Sequence, residues 1–319
     1  MRNVPWWVRY MVAALVLAAV VWSLGTGPFL DGVRAVDGRA LAVAAGIGLV
    51  CTVCCAWRWT VVARGLGVPL SLATAVAAYY RSVFLNLTLP GGVVGDVHRG
   101  VSHGHEAGDV GCALRAVAWE RTAGQIVQAV LTVVVLLVLP SPVRSFMPFA
   151  ALALAALALA MMLGDRARPS SRRSRLARVR SAVSADIRAG LLRRRALPAI
   201  AVASAIVVVG HAVTFLVAAR TAGVTAPLSH LVPLVLLAML AMTLPSIAGW
   251  GPREGVTAWV FAAAGLGASA GAATAVTYGV MVLAASLPGA LVLVAEWSSR
   301  RTPATRTKPV PGLVDRGGG

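Results

Sequence analysis

Charge is scarce in this chain. Only 13% of its 319 residues are Asp, Glu, Lys or Arg, against 58% hydrophobic. A water-soluble protein of this length needs far more charge to cover its surface. An ordinary soluble domain is therefore excluded. Alternation of apolar and polar residues is missing too, which removes the membrane β-barrel. What is present is continuous apolar sequence. Residues 10–24, 40–57, 147–163, 197–219 and 256–295 run long with few or no ionised side chains. About 17–25 such residues cross the hydrocarbon core as a helix. A helix closes its own backbone hydrogen bonds where lipid offers no partner. The fold class is all-α, a polytopic helical membrane protein with about six to eight transmembrane helices.

Acidic residues are the scarcer kind, 11 against 29 basic ones, for a net charge of +18. In a soluble protein that excess would suggest nucleic acid. Here it is localised. Residues 164–196 hold eleven arginines against Asp165 and Asp186, and the tail adds Arg300, Arg301, Arg306, Lys308 and Arg316. Excess Arg in loops marks the cytoplasmic side. The same arginines suit anionic lipid headgroups. No folded basic domain is available, so nucleic acid is not expected as a partner. These charges predict a multi-pass plasma-membrane protein with both termini cytoplasmic. No A-x-A-like site follows the first apolar run, which is read as the first span.

Catalytic signatures are absent as well. There is no Gly-x-Ser-x-Gly elbow, P-loop or His-Glu-x-x-His, so nucleotide hydrolysis has no support and no cofactor is expected. Three of the four cysteines, Cys51, Cys54 and Cys55, share one helix face without a Cys or His pair beside them. They read as small packing residues. His98, His103 and His105 cluster with Asp96, Glu106 and Asp109. Such a set suits a metal or a solvated loop; no compact ligand motif emerges, so no metal site is expected.

Helices are predicted at about 6–26, 40–63, 72–90, 113–139, 147–163, 197–219 and 227–247, then a shorter piece and a final span over 256–296. Residues 91–115 read as a polar stretch. An amphipathic surface helix is expected around 174–192, where Leu176, Val179, Val183 and Ile187 recur. The membrane domain covers 1–297, as half-repeats of about 1–163 and 197–297 joined by the basic cytoplasmic loop 164–196. The tail, 298–319, is expected to be disordered. Five apolar segments precede the basic loop, and five crossings would put that loop outside. The segment 72–90 runs into Pro90-Gly91-Gly92, where a helix must stop. A half-crossing re-entrant segment there restores the parity.

The stretch TLPGGVVGDVHRG at 88–100 has a partner, TLPSIAGWGPREG at 243–255, displaced by 155 residues. Paired Gly/Pro-broken segments in two halves point to a transporter's central site. The alternative is two surface turns with interfacial charges. The amides of a Gly-rich break can bind an anion, and an adjacent arginine can grip phosphate with its planar fork. Arg58, between Trp57 and Trp59, and Glu120-Arg121 are ionisable residues in apolar context. They face a polar pathway, or the arginines snorkel to the interface. Arg81 and Arg220 are ambiguous. Glu296 reads as an interfacial helix end, and His211 and His230 as packing or helix-end residues.

These residues together resemble the lysylphosphatidylglycerol synthase transmembrane-region family of flippase-like membrane proteins. Asn86 with Leu89-Pro90-Gly91, then Gly95-Asp96 and Arg99, is similar to that family's N-x-x-L-P-G…G-D-x-x-R block. Glu120-Arg121 resembles its glutamate–arginine pair. Pro245, Gly249, Gly251 and Glu254 resemble its P…G-x-G-x-x-E block, and Arg58-Trp59 an Arg-Trp pair in its second helix. Ser246-Ile247-Ala248 departs from a block often richer in glycine. No acidic residue follows Glu120-Arg121 within Thr122-Ala123-Gly124-Gln125. The soluble aminoacyl-transferase domain of full-length synthases is not expected after residue 297. The resemblance implies movement of a phospholipid or lipid-linked headgroup between leaflets. Asp96, Arg99, Arg253 and Glu254 would line the path, with Arg58, Glu120 and Arg121 in support, and with Asn86, Pro90, Gly91, Gly92, Gly95, Pro245, Gly249 and Gly251 shaping it. The expected partners are membrane lipids with an anionic or phosphate-bearing headgroup. Two other readings stay open: an intramembrane enzyme on a lipid-linked substrate, with Asp96 or Glu120 as base, and a subunit recruiting a cytoplasmic or membrane enzyme.

Overall fold

A computed structural model describes residues 26–89, 92–141, 143–166, 182–194, 196–243 and 250–301. Most of the first expected helix, Pro90, Gly91, Pro245, Gly249, residues 174–181 of the amphipathic stretch and the tail beyond 301 lie outside them. Among the described residues every regular element is helical. The α-helices are α1 (Gly27–Arg34), α2 (Gly38–Gly65), α3 (Leu72–Thr88), α4 (Val94–Ala107), α5 (Val110–Val138) and α6 (Met147–Arg166) in the first part. After them come α7 (Ala196–Thr221), α8 (Leu228–Ala241), α9 (Pro252–Ala263), α10 (Ala268–Ser286) and α11 (Pro288–Arg301). Four apolar runs among the described residues are long enough to cross a membrane: α2, α5, α7 and the broken stretch Ala268–Ser298. The chain is a helical membrane protein.

Side-chain caps set several helix starts. Asp37 accepts from the Ala40 amide at 2.7 Å, Ser71 from Thr74 at 3.1 Å and Asp109 from Cys112 at 2.8 Å. Each satisfies an amide that the first turn leaves without a partner. α9 starts at Gly251, whose φ of +114° a side chain would resist, and its amide donates to Glu254 Oε2 at 2.7 Å.

The stretch 91–115, read in the sequence as polar and outside any predicted helix until 113, is largely helical, as α4 and the start of α5. α4 is built inside out. Gly95, Asp96, Arg99, Gly100, His103 and Gly104 face inward, while Val94 and Val97 are exposed. A helix in lipid gains nothing by hiding valine, and must hide its charges. His103 Nε2 contacts the Val68 carbonyl at 2.9 Å, and its ring packs edge-on against Trp59.

α3 and α4 pack as a hairpin. Asn86 Oδ1 accepts from the Gly95 amide at 2.7 Å, and Ser82 Oγ donates to Asp96 at 3.2 Å. A Cβ on Gly95 would lie 2.0 Å from the Ser82 carbonyl oxygen, so only glycine permits this approach. Gly92, φ +64°, lies in the turn. α8 and α9 pack on each other in the second half.

α2 and α7 run antiparallel through the centre. Ala40 and Ala44 share a buried cluster with Val208, Phe215 and Ala218. Midway, Cys51 lies 3.9 Å from the Val207 carbonyl. Further along, Arg58 meets Ser204, and the end of α2 meets Ala189 in the π-helical turn Ile187–Leu191. Adding 155 to the bounds of α2 to α5 gives 193–220, 227–243, 249–262 and 265–293, so α7 to α10 each start within three residues of a counterpart. Contacts follow the same exchange: α5 packs on α7 and α10 on α2, α5 on α8 and α10 on α3.

Candidate functional site

Glu120, on α5, has no exposed surface. Two arginines reach it from other helices. Arg58 of α2 donates to Oε1 through Nε at 2.9 Å and through Nη2 as well. Arg99 of α4 donates to Oε2 through Nη2 at 2.8 Å. Tyr79 of α3 adds its hydroxyl to Oε1 at 3.4 Å. Arg58 is 5% exposed and does not snorkel; its Nη1 ends on Ser204 Oγ, 2.8 Å away. A Cβ on Gly124 would lie 2.8 Å from Arg58 Nη1, so that glycine makes room for the guanidinium.

Arg99 lies between two rings, 4.6 Å from the centroid of Trp59 and 4.4 Å from that of Tyr79. Both π faces attract it, more strongly where water is excluded. Its Nε donates to Asp96 Oδ1 at 3.0 Å. Asp96 Oδ2 accepts from Asn86 at 2.8 Å and is ion-paired with Arg121 Nη1 at 2.7 Å. Three cations and two carboxylates thus form one network, with one positive charge in excess. Its outermost member is Arg121, whose side chain is 41% exposed. Each oxygen of Asp96 and Glu120 already accepts from at least one donor. Neither carboxylate can serve as a general base without breaking an ion pair.

The second Gly-broken segment carries a smaller ionic site. Arg253 binds Glu254 Oε1 through Nε at 2.8 Å and again through Nη2. Its guanidinium lies 5.2 Å from the ring of Trp250 and 5.4 Å from that of Tyr278. A Cβ on Gly279 would come within 2.5 Å of Arg253 Nη2. Gly279 follows Gly124 by the same 155 residues, and each glycine houses an arginine. The Tyr278 hydroxyl pairs with His211 Nδ1 at 2.9 Å.

A cavity of about 240 Å³ lies between the two halves. Arg58, Asn86, Asp96 and Arg121 line it on one side, and Ser204, His211, Met239, Met242 and Thr243 on the other. Gln125 and Gln128 of α5 complete the wall. Of the expected path residues, Asp96 therefore borders the cavity, whereas Arg99, Glu120, Arg253 and Glu254 do not. Arg99 and Glu120 hold the cavity wall from behind. Gly92, Gly95 and Gly251 shape backbone and do not line this cavity.

A family model described as lysylphosphatidylglycerol synthase TM region matches residues 6–289. The chain belongs to that family. Neither a curated protein nor a solved structure gives a significant match. Membership in the lysylphosphatidylglycerol synthase TM region family makes it a membrane protein related to lipid handling. Within this family member, Tyr79, Gly124, Gln125, Gln128, Ser204, His211 and Tyr278 belong to the site and were not expected there. His211, expected as a packing or helix-end residue, packs its ring against Tyr278 and also lines the cavity. One signal could have found part of this set: Thr122-Ala123-Gly124 and Thr277-Tyr278-Gly279 repeat at the 155-residue offset.

Proposed function

We propose that this chain moves a phosphate-bearing lipid headgroup between the leaflets of the plasma membrane. The observation that carries the proposal is the cavity with its ionic network: a polar space between apolar helices, bordered by both halves, with one uncompensated positive charge at its edge. Arg121 presents a planar fork suited to a phosphodiester. Ionisable residues within a membrane domain mark a pathway when they face a cavity.

We propose a topology that agrees with the same geometry. Among the described residues the proposed spans are α2, α5, α6, α7 and α10 with α11; the expected first span, 6–26, lies almost wholly outside those residues, and counting it gives six crossings with both termini cytoplasmic. The hairpins α3–α4 and α8–α9 enter from opposite faces without crossing. The halves form an inverted repeat, since α2 and α7, counterparts at the 155-residue offset, run antiparallel. The domain spans 1–297, and the basic loop 164–196 faces anionic lipid on the cytoplasmic side. Single cysteines at Glu106 and Asp109 should resist an impermeant extracellular thiol reagent; modification there removes the first hairpin from this scheme.

Reconstitution into liposomes tests the function. Fluorescent lipids in the inner leaflet should reach an outer-leaflet quencher much faster with the protein present. An unchanged rate across several headgroups refutes transport.

A further inference from the structure

The cavity carries a statement about its cargo. This inference rests on the transport reading and narrows it. We infer that the headgroup is a phosphodiester bearing uncharged hydroxyls, a polyol or a sugar, in preference to one bearing an amine.

Three observations converge. The first is charge. Arg58, Arg99 and Arg121 face only Asp96 and Glu120, leaving one positive charge for a ligand to neutralise. A single phosphodiester supplies that charge.

The second is the state of the carboxylates. Asp96 Oδ1 accepts from Ser82 and Arg99, and Oδ2 accepts from Asn86 and is ion-paired with Arg121. Glu120 is divided between Arg58, Tyr79 and Arg99. A headgroup ammonium entering the cavity would meet a net cationic wall with no free carboxylate. Charged donors without a counter-ion are strongly disfavoured in such a site. A lysyl headgroup, with two amino groups, is the least suited of all.

The third is what does remain free. Among the described residues neither Gln125 nor Gln128 has a side-chain partner, though both line the cavity. His211 uses Nδ1 on Tyr278, leaving Nε2 without a partner among the described residues. Carboxamides both donate and accept, as hydroxyls do, so the two match in either direction. The space, about 240 Å³, is below the roughly 300–1,000 Å³ of pockets that enclose drug-sized ligands. It takes a headgroup and leaves acyl chains in the lipid.

The test uses the full chain in liposomes with tail-labelled lipids of five headgroups. Phosphatidylglycerol and phosphatidylinositol carry hydroxyls, phosphatidylmethanol a bare phosphodiester, and phosphatidylethanolamine and lysylphosphatidylglycerol amines. The hydroxyl-bearing lipids should move about tenfold faster than the amine-bearing ones, with phosphatidylmethanol between them. Gln128→Glu, nearly isosteric, adds the missing carboxylate and should shift the ratio toward amines by about tenfold. Amine-bearing lipids moving as fast as the others overturn the inference and leave transport standing. A wild-type preference left unmoved by Gln128→Glu overturns the assignment to this cavity. No acceleration of any of the five removes the transport reading and this one with it.

Discussion

Glu120→Gln changes one carboxylate to its amide and leaves two buried arginines short of a counter-charge. In the native chain five ionic groups carry a net single positive charge; in the variant four groups carry two. Arg99 keeps Asp96 as a partner at 3.0 Å. Arg58 keeps only Ser204 at 2.8 Å and the Cys55 sulfur at 3.7 Å, both neutral. Breaking a buried pair by removing one partner costs about 3–5 kcal/mol. At about 2 °C per kcal/mol, the slope for larger chains, the melting temperature should fall by roughly 6–10 °C. The double variant Glu120→Gln/Arg58→Gln restores the native net charge and removes the stranded cation. It should melt above Glu120→Gln alone, a coupling that a double-mutant cycle measures directly. Thermal unfolding in detergent or nanodiscs, followed by tryptophan fluorescence, reads both. A Glu120→Gln variant melting within about 2 °C of wild type would refute the network as a structural unit, as would strict additivity in the cycle.

Three further outcomes follow from the packing. Gly95→Ala places a Cβ 2.0 Å from the Ser82 carbonyl oxygen, so the α3–α4 hairpin must open; the expected loss exceeds the usual 1–3 kcal/mol of overpacking and should appear as failed expression of monodisperse protein. Gly210→Cys, in a background where Cys54, Cys55 and Cys112 are replaced, brings a new Cβ 2.5 Å from Cys51 Sγ and should form a disulfide under mild oxidant, detected by mass spectrometry; a reduced pair would count against the α2–α7 packing. Arg81→Gln should lower the melting temperature far less than Glu120→Gln, because its partner Glu296 is 38% exposed and such pairs contribute about 1 kcal/mol or less.

Much of this architecture was legible in the sequence, for reasons specific to each segment. α2, α5 and α7 announce themselves because a membrane helix needs an unbroken apolar run. The hairpin between α3 and α4 was legible as a break, because Pro90-Gly91-Gly92 cannot continue a helix. α4 itself was not. Its residues read as a polar stretch on the rule that charge seeks water, and here charge seeks Glu120. Arg58, Asp96, Arg99 and Glu120 stood out singly, since each is costly in lipid. Their joining into one network was invisible, because the pairs cross 21 and 62 residues of chain. His211 reads in the sequence as a lone polar residue in an apolar run, and only the packing of α7 against α10 reveals its partner. Gly124 and Gly279 escaped because a glycine that makes room for a guanidinium resembles any other small residue in a helix.

The link from Arg58 to Glu120 also imposes an order on synthesis. The ribosome delivers α2 well before α5, and a membrane-inserted arginine costs about 2.5–3.5 kcal/mol at mid-helix. α2 can bear that alone because Ala, Leu and Val fill the rest of its length. α4 has no such reserve, with its buried face made of aspartate, arginine, histidine and glycine. It can leave the insertion machinery only in company, after α5 has brought Glu120. The expected consequence is entry into the bilayer in blocks, with α3, α4 and α5 released together onto a waiting α2.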